Sequence, residues 1–162
     1  MISVELNDAG LKKLTKAIDK FEKDMIRKTQ ILVDRLAKEG LEIARVGFEL
    51  AEYDGVNDVK VDIEPRDETC VAIVATGNAV LFLEFGAGLY GYGHPEPRNF
   101  GPGTYPGQKN ALNPKGWYLP KEVQAIVGKK KSKGNIPTAA MYKAKKTLEL
   151  EIQQMASEVF ND

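Results

Sequence analysis

The chain has 162 residues, 43% hydrophobic and 28% charged, with 23 basic side chains balanced by 23 acidic ones. Such a composition belongs to one ordinary globular domain, and a formal net charge of zero removes any global pull toward nucleic acid or an anionic membrane. A single cysteine excludes an internal disulfide framework, a single histidine argues against a zinc site of the usual make-up, and no apolar run approaches the roughly twenty residues that span a bilayer.

Asn7 or Asp8 can accept hydrogen bonds from the first free amides of a helix, so a helix is expected to start there. From Leu11 the apolar positions run Leu11, Leu14, Ile18, Phe21, Met25, a three-four spacing that lies on one helical face. The stripe resumes at Leu32, Leu36, Ile43 and Phe48, and no proline interrupts Lys12 to Glu52. An unbroken helix of that length would be about 60 Å long, wider than so small a domain. It therefore has to break or protrude, and breaks are expected near Thr29-Gln30 or at Gly40, where helix propensity falls.

Tyr53-Asp54-Gly55 carries turn chemistry. Val59, Val61 and Ile63 then alternate with Lys60, Asp62 and Glu64, the period of a strand with one wet face. A turn at Pro65–Glu68 leads to a second, β-branched strand over Thr69–Thr76, and the two read as an antiparallel hairpin. Cys70 near the start of that strand reads as a packing residue rather than a reactive thiol. After Gly77-Asn78, Ala79 to Phe85 is an apolar segment that fits a short helix or a strand. Trp117 to Val127 reads as a last strand, placed at an edge by Pro120, and Gly128 to Gly134 as a lysine-rich loop. Pro137 suits a first helical turn, and Ala140, Ala144, Leu148, Ile152, Met155 and Val159 mark a terminal amphipathic helix. The fold class expected is α+β, with a long N-terminal and a C-terminal helix on one face of a mainly antiparallel sheet of about four strands. Residues 1–162 form one domain in this reading, with a long glycine, proline and aromatic loop at about 86–116. The N-terminus does not read as a signal peptide, so a cytosolic setting is expected.

Nine of the fifteen glycines lie between Gly77 and Gly116, and the same region carries Tyr90, Tyr92, Phe100 and Tyr105, with Trp117 just beyond. A freely solvated loop has no use for that apolar ring area, so it reads as a surface that orders against another subunit. Charge is also unevenly placed. Val56–Thr76 holds five acids against two bases, while Lys121–Lys146 holds eight lysines against one acid. Opposed patches of this kind suit head-to-tail contact between copies.

Catalysis finds little support. His94 lies inside the glycine-rich loop, and no serine or cysteine stands near it in sequence to complete a nucleophile-base pair. Gly86-Ala87-Gly88-Leu89-Tyr90-Gly91 matches the dinucleotide fingerprint in letters only, because glycines and prolines follow where its helix is required, so no cofactor is expected. Glu84, flanked by Leu81, Phe82, Leu83 and Phe85, is the one acid in an apolar setting. A structural role, accepting backbone amides of the following glycine turn or pairing with a lysine or arginine across an interface, competes with one as a general acid or base. Lys129, Lys130, Lys131 and Lys133 could touch phosphates. With the loop aromatics they support a second reading, a small nucleic-acid-binding module.

The string Phe82-Leu83-Glu84-Phe85-Gly86-Ala87-Gly88 resembles the (Val/Leu)-Glu-Phe-Gly-(Thr/Ala)-Gly signature of a tailed-phage family known as neck, tail-completion or head–tail joining proteins. The element order is similar too, and Ile136-Pro137-Thr138-Ala139-Ala140-Met141 stands where that family starts its C-terminal helix. Ala87 replaces a commoner threonine, Thr138 stands where an aromatic is frequent, and the Leu89–Lys115 loop is long. The resemblance implies a non-enzymatic structural protein with no metal or cofactor. It would form a homo-oligomeric ring at the virion's head–tail junction, assembled in a bacterial cytoplasm, and touch portal or adaptor and tail proteins. Subunit or partner contacts would then fall on Glu84, Phe85, Gly86, Gly88, Tyr90, Tyr92, Phe100, Tyr105 and Trp117, with non-specific DNA contact at the four lysines and no membrane.

Overall fold

The computed structural model describes residues 7–91 and 113–161. Helix α1 (Asp8–Glu49) runs 42 residues without a break, which is about 63 Å. Asn7 caps it, its side-chain carbonyl accepting from the Gly10 amide at 2.8 Å. The expected breaks do not occur. At Gly40 a Cβ would come 2.5 Å from Ile73 Cδ1 and 2.8 Å from Leu148 Cδ1, and at Gly47 one would come 2.7 Å from Ala140 Cβ. Both glycines let other elements approach the helix backbone, and that packing outweighs their weak helix propensity.

Helix α5 (Ala140–Asn161) lies antiparallel along the C-terminal half of α1, in the most extensive contact between any two elements. Its first residue sits at Gly47, and its last turn reaches Lys28, whose ammonium donates to the Phe160 carbonyl at 3.3 Å. Arg35 and Glu158 pair at 3.6 Å near the same end.

Strands β1 (Lys60–Asp67) and β2 (Cys70–Thr76) form an antiparallel hairpin with Val61 opposite Ala75 and Ile63 opposite Ile73. That apolar face meets α1 while Asp62 and Glu64 point outward, as the period-two pattern requires. Cys70 is exposed, because it flanks the turn at the hairpin's far end, beyond the reach of the helices. The segment after the hairpin resolves as helix α2 (Val80–Phe85), followed by one turn, α3 (Gly88–Gly91).

From residue 113 on, the expected last strand shrinks to β3 (Trp117–Tyr118), and residues after Pro120 form helix α4 (Lys121–Val127). Proline offers no amide to a ladder but starts a helix without penalty. The lysine segment is partly ordered as β4 (Lys131–Ser132) and β5 (Gly134–Asn135). Strand β3 pairs antiparallel with β4, so the described residues hold two separate two-stranded sheets rather than one sheet of four. The core centres on Phe48, Ala79, Leu83 and Ala140, where the end of α1, helix α2 and the start of α5 converge.

Candidate functional site

Two features stand out as places where this chain could act, and both follow from how α5 is held. The first is a node built on Leu83–Gly88. Leu83 is fully buried in the core. The next residue, Glu84, is also buried, and its carboxylate accepts from the amides of Met141 and Tyr142, each at 3.0 Å. These are early donors of α5, which its own sequence leaves unmet. Thr138 Oγ1 is buried without a partner among the described residues, and Ala139 takes a positive φ of 51° instead of a capping conformation. The carboxylate is thus an N-terminal cap supplied from a distant part of the chain, its negative charge set against the positive end of the helix dipole.

The backbone of the same segment completes the link. The Leu83 and Glu84 carbonyls accept from Thr138 at 2.7 Å and Ala139 at 3.2 Å. Gly86 turns the chain at φ 76°, and Ala87 and Gly88 then bridge to Asn135 and Gly134. The approach is close enough that a Cβ on Gly134 would fall 1.6 Å from the Ala87 carbonyl oxygen. The Leu89 amide donates to the Lys133 carbonyl at 2.8 Å. Asn135, itself buried, donates its side-chain amide to the Phe82 carbonyl at 2.8 Å. Trp117 lies over Gly88, where a Cβ would meet its ring at 2.6 Å. The Leu83–Gly88 string is therefore a clamp between α2 and the entry to α5.

Of the residues singled out in the sequence, Glu84, Gly86, Gly88 and Trp117 come together in this node. Phe85 is half-buried and lines a groove with Val80, Met141 and Tyr142, while Tyr90 is exposed. Tyr92, Phe100 and Tyr105 lie outside the described residues. The four lysines do not form one cluster. Lys129 pairs with Asp54, which raises its ammonium above the usual range, and Lys131 stands 4.6 Å over the exposed Tyr118 ring. The carbonyls of Lys130 and Lys133 accept from Leu119 and Leu89, fixing their backbone.

Three residues of this region carry roles that sequence reasoning missed. Asp54 receives Lys129 and lies 3.4 Å from Ser132 Oγ. Asp58 accepts from the amides of Asn78 and Ala79 at 2.9 Å each, bonds that hold its carboxyl below the ordinary range and fix the entry to α2. Asn135 joins two stretches of chain. All three are polar residues in turn-rich sequence, and nothing in their spacing marks the distant amide or ammonium that each one meets.

The second feature is the outer half of α1. Beyond Lys28 the described residues place nothing against its apolar stripe. Leu11 is 51% exposed, Ile18 55% and Phe21 67%, with Met25 and Ile26 close to 40%. The stripe read from the sequence is real, but only its inner part is covered. Among the described residues no group of acids, histidines or cysteines is disposed to hold a metal, and no helix is long and apolar enough to cross a membrane.

Comparison of the chain with protein-family models, with curated proteins and with solved structures gives no match.

Proposed function

We propose that this chain is a structural protein of a tailed-phage head–tail junction, acting through contacts with its own copies and with portal-side and tail-side proteins rather than through a reaction. The observation that carries the reading is the uncovered apolar stripe on the outer half of α1. A helix that exposes Leu11, Ile18 and Phe21 in register is shaped for another polypeptide. The Leu83–Gly88 clamp supports the same reading. Its acid is committed to two backbone amides, a role in holding the fold. In a ring the acidic hairpin of one copy would face the lysine-bearing segment of the next, and an added strand on the hairpin's edge would extend it toward the sheet of about four expected from sequence. Phe85, Tyr90 and Trp117, with the loop aromatics, would line such contacts.

The nucleic-acid reading is the weaker one, since two of its four lysine side chains are already engaged, with Asp54 and with Tyr118. The test is light scattering of the chain mixed with candidate portal-side and tail-side proteins. A defined higher-order complex is expected. A chain that joins neither partner, and instead binds DNA with an affinity falling steeply as salt rises, would replace this proposal with the second reading.

A further inference from the structure

The uncovered stripe has a definite length and a definite end. On its inner half α1 is covered by α5, and that lane stops where Phe160 meets Lys28. At 3.6 residues per turn Leu11, Ile18 and Met25 lie about ten, eight and six whole turns before Gly47, which touches Ala140 of α5. All three therefore belong to the side of α1 that faces α5, and the stripe continues the same lane past the point where its cover ends.

We propose that in the free protein this lane is filled by the outer half of α1 from a second copy, running antiparallel. The positions follow a two-heptad a/d pattern, with Leu11, Ile18 and Met25 at a and Leu14 and Phe21 at d. Antiparallel layers then set Ile18 against Phe21 and Leu14 against Met25, which brings Leu11 of each copy level with Lys28 of the other. Each lane is thus filled up to the end of α5 and no further. The flanking positions agree: Thr15 meets Glu22 and Ala17 meets Asp24, so no like charges are opposed across the seam. A parallel pairing would set the two α5 helices and hairpins at the same end, where they compete for space, whereas the antiparallel one sends them to opposite ends.

The area is sufficient. Leu11, Ile18, Phe21 and Met25 are between 36% and 67% exposed. On the order of 1,000 Å² of apolar surface would leave water in a pair, and lysine stems beside the stripe bring the total to the lower bound of about 1,200 Å² for a specific interface. The contact is isologous and closes on itself as a two-fold pair, so no other protein is needed to complete it. It shares the stripe with the preceding reading but does not depend on the virion.

Sedimentation of the purified chain, without any partner, across about 1 to 500 µM tests the pairing. A reversible monomer–dimer equilibrium is expected. Ile18→Glu with Phe21→Glu, which keep good helix formers at both positions, should weaken it at least about 100-fold while leaving the urea-unfolding midpoint of the dilute monomer unchanged. Orientation is read in a Cys70→Ser background by mixing Leu14→Cys with Met25→Cys chains under mild oxidation, which should give the mixed disulfide in preference to either like pair. A wild-type chain that stays monomeric throughout, a double variant that dimerises as well as wild type, or cross-linking of Leu14→Cys to itself would overturn the proposal. Failure here leaves the junction reading to its own test with portal-side and tail-side proteins.

Discussion

The two halves of α1 carry similar apolar spacing and meet opposite fates. From Lys28 to Glu49 the stripe is covered by α5 and the hairpin, with Ala37, Gly40, Ala44 and Phe48 buried. From Asp8 to Arg27 the same periodicity stands largely in water. Glycine marks the difference. Gly40 and Gly47 sit where neighbours approach the covered half most closely, whereas the outer half presents large side chains and has only Gly10, in its first turn. A helical apolar stripe therefore says which side of a helix wants cover, and small residues within it say where cover arrives at close range.

The comparison breaks most severely if α5 is released. Glu84→Ala strands the half-buried amides of Met141 and Tyr142 and should cost about 2–4 kcal/mol, read from urea-unfolding midpoint and slope. The inner half of α1 should lose its cover with it. Loss of less than about 1 kcal/mol would mean that water or Thr138 replaces the carboxylate. Next in size, Gly47→Val drives a branched side chain into Ala140 Cβ, which cannot rotate away. A cost of about 1–3 kcal/mol is expected in thermal or urea unfolding, against less than about 0.5 kcal/mol for Lys20→Ala on the outer half. The smallest effect sharpens the contrast without a mutation. In dilute protein the amides of residues 12–27 should exchange with solvent at least about tenfold faster than those of 31–48, since a helix lacking tertiary cover is marginal. Equal protection at micromolar or lower concentration would show that the outer half is held by something other than a second copy.

Much of the architecture is legible in the sequence. The cap at Asn7, the apolar face of α1, the antiparallel hairpin and the terminal helix follow from local signals: a capping side chain, three-four spacing and strict alternation. The turn read over Pro65–Glu68 is shorter, since β1 runs on to Asp67 and β2 begins at Cys70, and Pro137, read as part of a first helical turn, lies before α5 starts at Ala140. The errors share one cause. Gly40 reads as a break only while its neighbours are unknown. Trp117–Val127 reads as a strand because a short apolar run lacks a decisive period, and Pro120 ends the ladder instead of edging it. Cys70 reads as a packing residue until the hairpin's length carries it past the helices. At the node, the apolar setting of Glu84 pointed to a carboxylate accepting amides of the adjacent glycine turn, whereas the donors are Met141 and Tyr142, 57 and 58 residues further along the chain.

What the sequence by itself determined is therefore the two long helices, the hairpin and the faces they must hide, because helix caps and hydrophobic periods act between residues a few positions apart. Only the tertiary structure decided which faces are met. It set Glu84 on the head of α5, the glycines of α1 beneath Leu148 and Ala140, and the outer stripe beyond the end of its cover. Those outcomes depend on where distant segments come to rest in space, and short-range spacing does not carry that information.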